Sequence, residues 1–230
     1  MESRYERQLL LPEIGVEGQR KLSSAHVAVV GIGGLGSPVS AYLACAGVGT
    51  LGLIDDDVVS ISNLQRQILY DESQEGQPKV DCAKARLQAM NSTINIVAHR
   101  TRLTEHNAMQ LLSNYDAVVD GTDNYSARFA ISDACHTLGI PYIYGAINAL
   151  EGQVSVLCCG HATYRTLYPD EKVVSEMPHP GKAVVGVTPA IVGSVQASQT
   201  IQLVCGYGTP LVDRLWTIDL RTMQTFVIEL

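Results

Sequence analysis

The sequence predicts an α/β fold in which a mostly parallel sheet is continued by antiparallel strands in the C-terminal part. In the first half, short apolar runs rich in β-branched residues alternate with helical stretches, which is typical of strand–helix–strand units and a parallel sheet. After Gly152 the pattern changes to apolar runs separated by turn residues, which favours antiparallel strands. A glycine-rich turn directly after the first buried run makes the predicted fold Rossmann-like.

Residues 26–57 contain the first strand, the turn, a helix and the second strand. Residues 27–30 are apolar, which suits a strand buried on both faces, and Thr50–Ile54 is predicted as the next strand. The glycines that match the G-x-G-x-x-G spacing are Gly31, Gly33 and Gly36. They let the backbone approach a phosphate, and the helix that begins near Leu35 directs its free amides at that anion. With Asp55 placed to accept hydrogen bonds from ribose hydroxyls, the run predicts a nucleotide site, although NAD(H), FAD and adenylate-forming proteins share this spacing.

The composition of the 230 residues bounds the class of protein. The length and a hydrophobic content of 46% predict one compact domain. The glycine-rich turn and the change of pattern at Gly152 divide it into a nucleotide-binding half, residues 1–150, and an antiparallel half, residues 151–230. The net charge of −7 and the scattered basic residues argue against nucleic-acid binding. With no leader and no apolar run near the roughly 18 residues of a membrane span, we expect a cytoplasmic protein without membrane association. The six cysteines include no C-x-x-C pair, which indicates reduced thiols, several of them buried on helices.

The segment before the first strand is predicted to form a short helix and a turn, after which Gly15 and Gly18 are expected to break any further helix. Several basic residues surround its apolar centre. By position alone, Arg7 is best interpreted as a solvated helix charge.

Three acids, Asp55, Asp56 and Asp57, end the second strand. They exceed what ribose recognition requires, and they are also available to a divalent cation or to hydrogen bonds with nearby arginines. The polar cluster after them contains Arg66, whose planar guanidinium suits phosphate oxygens. It also contains Asn63, whose amide suits either phosphate binding or the capping of a helix.

Lys79 begins an amphipathic helix that Asn91 ends. Because the helix macrodipole favours acids at this end, the lysine indicates a nearby anion. Further strands are expected at residues 94–99, 115–120 and 141–146, and helices at residues 105–112, 126–138 and 188–206. Residues 159–187 hold most of the remaining glycine, proline and charge and are expected to form a mobile loop.

The strand expected at residues 115–120 is followed by Thr122, Asp123 and Asn124. Open α/β sheets bind ligands at the carboxyl ends of their strands. Asp123 is therefore expected on the same sheet edge as Gly31 and Asp55.

Several motifs, in order along the chain, closely resemble those of the ThiF/MoeB/HesA adenylyltransferases, which are relatives of the ubiquitin-activating enzymes. The motifs are RYERQ, GIGGLGS, AGVG, LIDDDVVSISNLQRQ, GQPKV, VVDGTDN and EGQVSV, and their pattern is closest to ThiF and MoeB. The resemblance implies a homodimer that binds ATP and adenylates the C-terminal glycine of a small ubiquitin-like sulfur carrier of the ThiS or MoaD kind. It also implies that residues 151–230 hold the carrier and a crossover loop, and that the pathway leads to thiamin or a molybdopterin-type cofactor.

Carried over residue by residue, the resemblance implies roles for individual side chains. The residues implied in catalysis are Arg7, Arg66, Lys79 and Asp123. The residues that the glycine spacing and the resemblance together assign to nucleotide binding are Gly31, Gly33, Gly34, Asp55, Asp57, Asn63, Gln67 and Asn124. Asp55 would hold the ribose, Asp123 would bind Mg²⁺, and Arg7 would reach into the site of the partner subunit.

The chemistry of adenylation fits these residue types. A carboxylate that attacks the α-phosphate brings two anions together, so the site must neutralise the triphosphate and hold the nucleophile in line. Arg7, Arg66, Lys79 and a Mg²⁺ ion on Asp123 would supply that charge. No general base is required, because a C-terminal carboxylate is already ionised at neutral pH. None of the six histidines is therefore assigned to catalysis.

The chain departs from the family pattern where many relatives form a structural zinc site from two C-x-x-C pairs. Thr163 and Thr166 stand at the first of these pairs, so no structural zinc is expected. Cys158, Cys159 and His161 are poor substitutes, because adjacent cysteines in a strand point to opposite faces.

A second departure is that residues 160–199 contain no cysteine, whereas many relatives carry one in the crossover loop. Adenylation alone is therefore expected, with sulfur delivered from the persulfide of another protein. The absence also leaves room for adenylation of a different peptide or small-molecule carboxylate. An NAD(P)-binding oxidoreductase and a scaffold without turnover are the remaining alternatives, and the retained basic residues and Asp123 argue against the scaffold.

Overall fold

The computed structural model describes residues 3–158, 160–176 and 183–230. The strands within these ranges are β1 (His26–Val30), β2 (Thr50–Ile54), β3 (Asn95–His99), β4 (Ala117–Asp120), β5 (Tyr142–Asn148), β6 (Glu151–Leu157), β7 (Arg214–Asp219) and β8 (Gln224–Glu229). The α-helices within them are α1 (Glu6–Leu9), α2 (Gly15–Ser24), α3 (Gly36–Ala46), α4 (Lys79–Met90), α5 (Ala108–Leu112), α6 (Tyr125–Leu138), α7 (Tyr164–Leu167), α8 (Glu171–Glu176) and α9 (Val187–Cys205).

The strands form one eight-stranded sheet in the order β3-β2-β1-β4-β5-β6-β7-β8. Strands β1 to β5 pair in parallel, and the pairs from β5 to β8 are antiparallel. The prediction of a mostly parallel sheet with antiparallel C-terminal strands is confirmed. Because β2 and β3 lie on one side of β1 and β4 lies on the other, the strand order reverses between β1 and β4, where sheets of this kind bind ligands.

An apolar core covers each face of the sheet within the described residues. Alternate residues of β1 enter different cores, since Val27 and Val29 belong to one and Ala28 and Val30 to the other. The helical residues of the first core include Leu22, Leu43, Leu87 and Ala197, from α2, α3, α4 and α9. Those of the second include Leu112, Phe129, Tyr164 and Val174, from α5 to α8. Strand β1 is thus buried on both faces, as its sequence predicts.

The N-terminal segment differs from the prediction, because Gly15 and Gly18 do not break a helix there. Gly15 is the first residue of α2, with φ of +53°, and Gly18 lies inside it. A Cβ atom on Gly18 would lie 3.3 Å from Sγ of Cys205 at the end of α9. The glycine therefore permits close contact between α2 and α9.

The helix predicted at residues 105–112 is shorter than expected and begins at Ala108. Asn107 causes the delay, because its Oδ1 atom accepts a hydrogen bond from the Thr104 amide at 2.8 Å and stabilises a turn instead.

The prediction of a mobile loop at residues 159–187 is wrong for Tyr164–Leu167 and Glu171–Glu176, which form the helices α7 and α8. At the start of α7, the Thr163 amide donates to Oγ1 of Thr166 at 3.0 Å. At the start of α8, Oδ1 of Asp170 accepts from the Lys172 amide at 2.9 Å. Residues 177–182, which contain the whole PHPGK motif, lie outside the described residues, as does Cys159.

Cys45, Cys82, Cys135 and Cys205 have free thiols, and the last three are buried on α4, α6 and α9. No helix among the described residues combines the length and the apolarity that crossing a bilayer requires.

Gly193 allows α9 to pack closely on α3, since a Cβ atom there would lie 2.7 Å from both the Leu35 carbonyl oxygen and Cγ of Pro38. We expect Gly193→Ala to lower the free energy of unfolding by about 1–3 kcal/mol, because overpacking outweighs the roughly 1 kcal/mol that alanine gains in helix propensity. Ser194→Ala is the matched control, since it removes only a hydroxyl that donates to the Ala190 carbonyl. Urea unfolding measures both variants, and wild-type stability in Gly193→Ala would contradict this packing.

Candidate active site

The glycine loop lies between the carboxyl ends of β2 and β4. The Gly31 amide donates to the Ile54 carbonyl at 2.8 Å, and the Gly121 amide donates to the Val30 carbonyl at 2.7 Å. Gly31 has φ of +82°, and a Cβ atom on it would lie 2.7 Å from the Gly121 carbonyl oxygen. A Cβ atom on Gly36 would overlap the Gly31 carbonyl oxygen. Only glycine fits these two positions. Because Gly36 is also the first residue of α3, the N-terminal amides of that helix lie beside the loop at this edge of the sheet.

Asp55 joins the glycine loop to the end of β2. Its Oδ2 atom accepts a hydrogen bond from the Ile32 amide at 2.7 Å, and its Oδ1 atom accepts one from the Asp57 amide at 2.8 Å. Burial raises the pKa of the Asp55 carboxyl, and the positive charge of Lys79 opposes that shift. The side chain predicted to bind the ribose is therefore held rigidly against the loop.

Tyr70 supports the loop from below and was not among the predicted site residues. Its hydroxyl donates to the Ile32 carbonyl at 2.7 Å, and the side chain is buried. Tyr70 lies 38 positions after Ile32 in the chain. No local pattern in the sequence indicates this contact, because it arises only from the packing of the segment after β2.

Lys79 has an anionic partner within the chain. Its Nζ atom lies 2.9 Å from Oδ2 of Asp57, and its side chain is only 5% exposed, whereas that of Asp57 is 64% exposed. The anion that the sequence indicates near Lys79 is therefore supplied at least by Asp57. Asp56 likewise pairs with Arg102 at 3.1 Å, so two of the three acids after β2 carry ion pairs.

The polar cluster after β2 lies over the glycine loop. Cδ of Arg66 is 3.6 Å from the place that a Cβ atom on Gly34 would take, and Nε2 of Gln67 is 3.4 Å from the corresponding place on Gly33. Gln67 is 4% exposed, and its Oε1 atom has no hydrogen-bond partner among the described residues. The main-chain carbonyl of Asn63 accepts hydrogen bonds from the amides of Arg66 and Gln67, each at 3.0 Å, which fixes the turn that carries these side chains.

Asp123 and Asn124 lie beyond the end of β4, on the same sheet edge as the glycine loop. Both are exposed. Oδ1 of Asn124 accepts a hydrogen bond from the Ala127 amide at 2.9 Å and caps α6. The Asp123 carboxylate is thus held at a helix start, open to solvent.

Arg7 does not join the other predicted site residues within one chain. It is exposed on α1, and the adjacent Gln8 donates to the Ala46 carbonyl at 3.2 Å, at the C-terminal end of α3. Helix α3 has 11 residues and begins at the glycine loop, so these two ends are about 16 Å apart.

A buried ion pair beneath Asp123 was also missed as part of the site. Asp120 is fully buried at the end of β4, and Nε of Arg128 lies 3.4 Å from its Oδ2 atom. The sequence does show a charged residue at the end of a buried strand and an arginine one turn into the next helix. Their pairing is a tertiary contact, however, which local sequence patterns do not specify. Burial raises the pKa of the Asp120 carboxyl, and Arg128 opposes that shift.

The two threonines at the family's zinc position form part of the start of α7. Nearby, Nδ1 of His161 lies 2.7 Å from Oδ2 of Asp213. The Ala162 amide donates to the other carboxylate oxygen of Asp213, also at 2.7 Å. These contacts link the end of β6 to the segment before β7.

The fold and the site define a nucleotide-binding α/β protein, and comparisons with known proteins narrow the class. The chain matches the ThiF family over residues 5–230. It is 43% identical to the "Sulfur carrier protein adenylyltransferase" of Thermus thermophilus, over 94% of this chain and 82% of that protein. It is 40% identical to the "Probable adenylyltransferase/sulfurtransferase MoeZ" of Mycobacterium tuberculosis, over 96% of this chain and 58% of that protein. The chain therefore belongs to the ThiF family of adenylyltransferases.

Other relatives are longer, and the solved structures agree on the fold. The chain is 43% identical to the "Adenylyltransferase and sulfurtransferase MOCS3-2" of Zea mays over 99% of its own length but only 48% of that protein. The crystal structure of Escherichia coli MccB with ATP matches all of this chain and 72% of that one, with a TM-score of 0.84 and 24% identity. The crystal structure of PaaA matches 98% of this chain and 72% of that one, with a TM-score of 0.85 and 24% identity. At these identities the two structures show the shared fold alone.

A methyl group added at Gly31 would meet the Gly121 backbone, whereas one added at Gly33 would meet only a side chain. Alanine at these two positions therefore tests the contact between the loop and the residue after β4. We expect Gly31→Ala to lower the free energy of unfolding by about 1–3 kcal/mol, because of its positive φ and its contact with Gly121. Gly33→Ala is the matched control and should change stability by less than about 0.5 kcal/mol, because its Cβ atom would meet only the end of the Gln67 side chain, at 3.4 Å. Urea unfolding compares the variants, and equal stabilities would refute the assignment of Gly31 to the contact with β4.

Proposed function

We propose that the chain uses ATP to adenylate the C-terminal glycine carboxylate of a small ubiquitin-like sulfur carrier of the ThiS or MoaD kind, with release of pyrophosphate. The observation that carries this proposal is the 43% identity to the Thermus thermophilus protein across 82% of its length. The meeting of the glycine loop, the polar cluster and the Asp123 segment at one sheet edge supports it, because a nucleotide triphosphate requires all three kinds of contact.

The glycine loop and its neighbours would hold the nucleotide. Backbone amides at Gly33 and Gly34 and the start of α3 would bind phosphate oxygens, while Gly31, whose own amide donates to the Ile54 carbonyl, would let the backbone turn beside them. Asp55 would accept hydrogen bonds from the ribose. Asn63, Arg66, Gln67 and Asn124 would complete the contacts. The unpaired Oε1 atom of the buried Gln67 supports this assignment, because a buried acceptor without a partner is costly unless a ligand supplies a donor.

Lys79 would exchange its partner when the triphosphate binds. Its ammonium group is almost buried, but Asp57 is largely exposed and can return to solvent at small cost. A phosphate carries more negative charge than a carboxylate and would compete effectively for Nζ. Asp57 would then hold the lysine in place in the absence of nucleotide, so that the cation is preorganised.

The Asp123 carboxylate fits a magnesium ion, because its oxygen donors are hard ligands and it is exposed at the edge where the phosphates would lie. When bound, Mg²⁺ would neutralise phosphate charge and favour the departure of pyrophosphate. The carrier carboxylate needs no general base, because it is ionised at neutral pH. The work of the chain is therefore to align that carboxylate with the α-phosphate and to compensate charge with Arg66 and Lys79.

Two copies of the chain would complete each other's sites. Arg7 is at the far end of α3 from its own glycine loop, so a role in catalysis requires a second subunit. Exposed apolar residues next to it support an interface there, since Leu10 is 70% and Leu11 49% exposed. A homodimer would place each Arg7 at the site of the other subunit.

The activity would end at the acyl adenylate. The absence of cysteine between residues 160 and 199 supports this limit, and a persulfide on another protein would supply the sulfur. The free thiols support a reducing compartment, and we place the protein in the cytoplasm, in a thiamin or molybdopterin-type pathway. Residues 1–150 would serve as the nucleotide-binding half of a single domain, and residues 151–230 would receive the carrier.

The role of Lys79 predicts that Lys79→Ala abolishes ATP–pyrophosphate exchange stimulated by a carrier that ends in Gly-Gly, while the fold remains intact. The loss should be at least about 100-fold, since one charge contact to the transition state is removed. Arg86→Ala is the matched control, because Arg86 is exposed on the same helix. Exchange at the wild-type rate in Lys79→Ala would refute its role, and NADH binding without any exchange in the wild type would favour the oxidoreductase instead.

The proposed exchange of Arg7 between subunits predicts complementation between two inactive variants. Arg7→Ala and Lys79→Ala should each be inactive, but a mixture that has exchanged subunits should recover about a quarter of wild-type exchange. Half of the dimers would be mixed, and each mixed dimer would contain one intact site. ATP–pyrophosphate exchange is measured immediately after the two variants are mixed and again after their subunits have redistributed between dimers. Recovery of no activity, or full activity in Arg7→Ala alone, would contradict a site shared between subunits.

A further inference from the structure

We propose that Asp120, Tyr142 and Arg128 form a buried clamp that positions residues 122–124, and with them Asp123, for adenylation. This inference rests on the proposed function, because it concerns the placement of Asp123 in that site. The three side chains are positioning residues, since they act through Thr122 and touch no substrate. They come from the end of β4, the start of β5 and the first turns of α6.

The Asp120 carboxylate is the centre of the buried clamp. Its Oδ1 atom accepts hydrogen bonds from the Thr122 amide at 2.8 Å and from the Thr122 hydroxyl at 2.7 Å. Its Oδ2 atom accepts a hydrogen bond from the Tyr142 hydroxyl at 2.7 Å. Both oxygens are thus engaged, and two of the three bonds hold Thr122.

Arg128 holds the other side of Thr122. Its Nη2 atom donates to the Thr122 carbonyl at 3.0 Å, and its Nε atom lies 3.4 Å from Oδ2 of Asp120. The guanidinium also lies over the ring of Tyr144, with 5.6 Å between its central carbon and the ring centroid. The amide, the hydroxyl and the carbonyl of Thr122 are therefore all bound by one ion pair.

The backbone beneath this ion pair is fixed by α9. Nε2 of Gln196 donates to the Asp120 carbonyl at 2.7 Å and to the Ile143 carbonyl at 3.1 Å. The amide group thus bridges the end of β4 and the start of β5 and fixes the backbone that carries the Asp120 carboxylate.

Asp123 is the single residue between two fixed neighbours. Thr122 is bound by the buried clamp, and Asn124 is bound to the start of α6 through its contact with the Ala127 amide. A buried ion pair contributes little to stability compared with apolar residues of the same size, so its presence here points to a requirement for position. Catalytic groups must be held within about 0.5 Å of their productive geometry, which such a network provides.

The inference is tested by two matched variants of neighbouring buried tyrosines. Tyr142→Phe removes the hydroxyl that binds Asp120. Tyr144→Phe removes a hydroxyl on the same strand that accepts a hydrogen bond from Gln153 instead. We expect Tyr142→Phe to lower kcat for ATP–pyrophosphate exchange roughly tenfold with KM for ATP nearly unchanged, and to speed hydrogen exchange at the Thr122 amide by a similar factor. Tyr144→Phe should leave kcat and the Thr122 amide as in the wild type.

Hydrogen exchange does not depend on catalysis, so the outcomes can be separated. If the wild type shows no pyrophosphate exchange, the proposed function fails, and the positioning of Asp123 for adenylation fails with it. If the wild type is active and Tyr142→Phe keeps wild-type kcat or wild-type protection of Thr122, the buried clamp is refuted. Equal losses in Tyr142→Phe and Tyr144→Phe would also refute it, because they would show a general effect of removing buried hydroxyls.

A second pair of variants tests Arg128 by partial rescue. Arg128→Met should lower kcat further than Tyr142→Phe does, and Arg128→Lys should recover part of the loss, because one charged donor remains for Thr122 or Asp120. Arg165→Met is the control, since the Arg165 guanidinium also lies over an aromatic ring, that of Phe129, but donates to Asp133. Equal kcat in the lysine and methionine variants of Arg128, with both folded, would overturn its positioning role.

Discussion

The contact between the glycine loop and the end of β4 is the constraint on which the rest of the site depends. Gly31 and Gly121 face each other so closely that a Cβ atom on either would overlap the backbone of the other. Because neither residue has a side chain, the segments that follow β1 and β4 can lie close together at the point where the strand order reverses. The segment that carries Asp123 thereby reaches the loop that would hold the phosphates, and Asp55 is tied to the same loop through Ile32.

The charges around this contact are arranged before any ligand binds. Lys79 is held by Asp57, and Arg128 is held by Asp120, so each of these two buried cations has an anionic partner. The two pairs differ in one respect that suits their proposed roles. Asp57 is exposed and can release its lysine to a phosphate, whereas Asp120 is fully buried and is held by Arg128, Thr122 and Tyr142. The Lys79–Asp57 pair is therefore suited to open when a ligand binds, and the Arg128–Asp120 pair is suited to stay closed.

The sequence predicts the local part of this architecture well and the long-range part poorly. The strand–loop–helix unit around Gly31 is predictable from apolar periodicity and glycine spacing, which act over a few residues, and the change to antiparallel strands after Gly152 is equally local. The contact of Tyr70 with Ile32 and that of Tyr142 with Asp120 join residues 38 and 22 positions apart, and no spacing rule specifies them. Side-chain hydrogen bonds at the helix starts explain the shorter α5 and the presence of α7 and α8. The close contact between α2 and α9 explains why Gly18 lies inside a helix.

Among the site residues, the placement of those near the strand ends could be anticipated, because parallel strands bring their carboxyl ends to one edge. The partner of Lys79 could be anticipated only as an unspecified anion. Arg7 is the opposite case, since the fold of one chain places it away from the glycine loop, and its proposed role requires a second copy of the chain.

The proposed reaction is the transfer of AMP to a protein carboxylate at the site between the carboxyl ends of β1 and β4. The most direct test incubates a sulfur carrier that ends in Gly-Gly with the protein and Mg-ATP and stops the reaction with acid. The intact mass of the carrier is then measured. The predicted result is a carrier bearing one AMP at its C-terminus, with pyrophosphate released in the same amount. An unmodified carrier, or the release of ADP and phosphate without an AMP adduct, would contradict the claim.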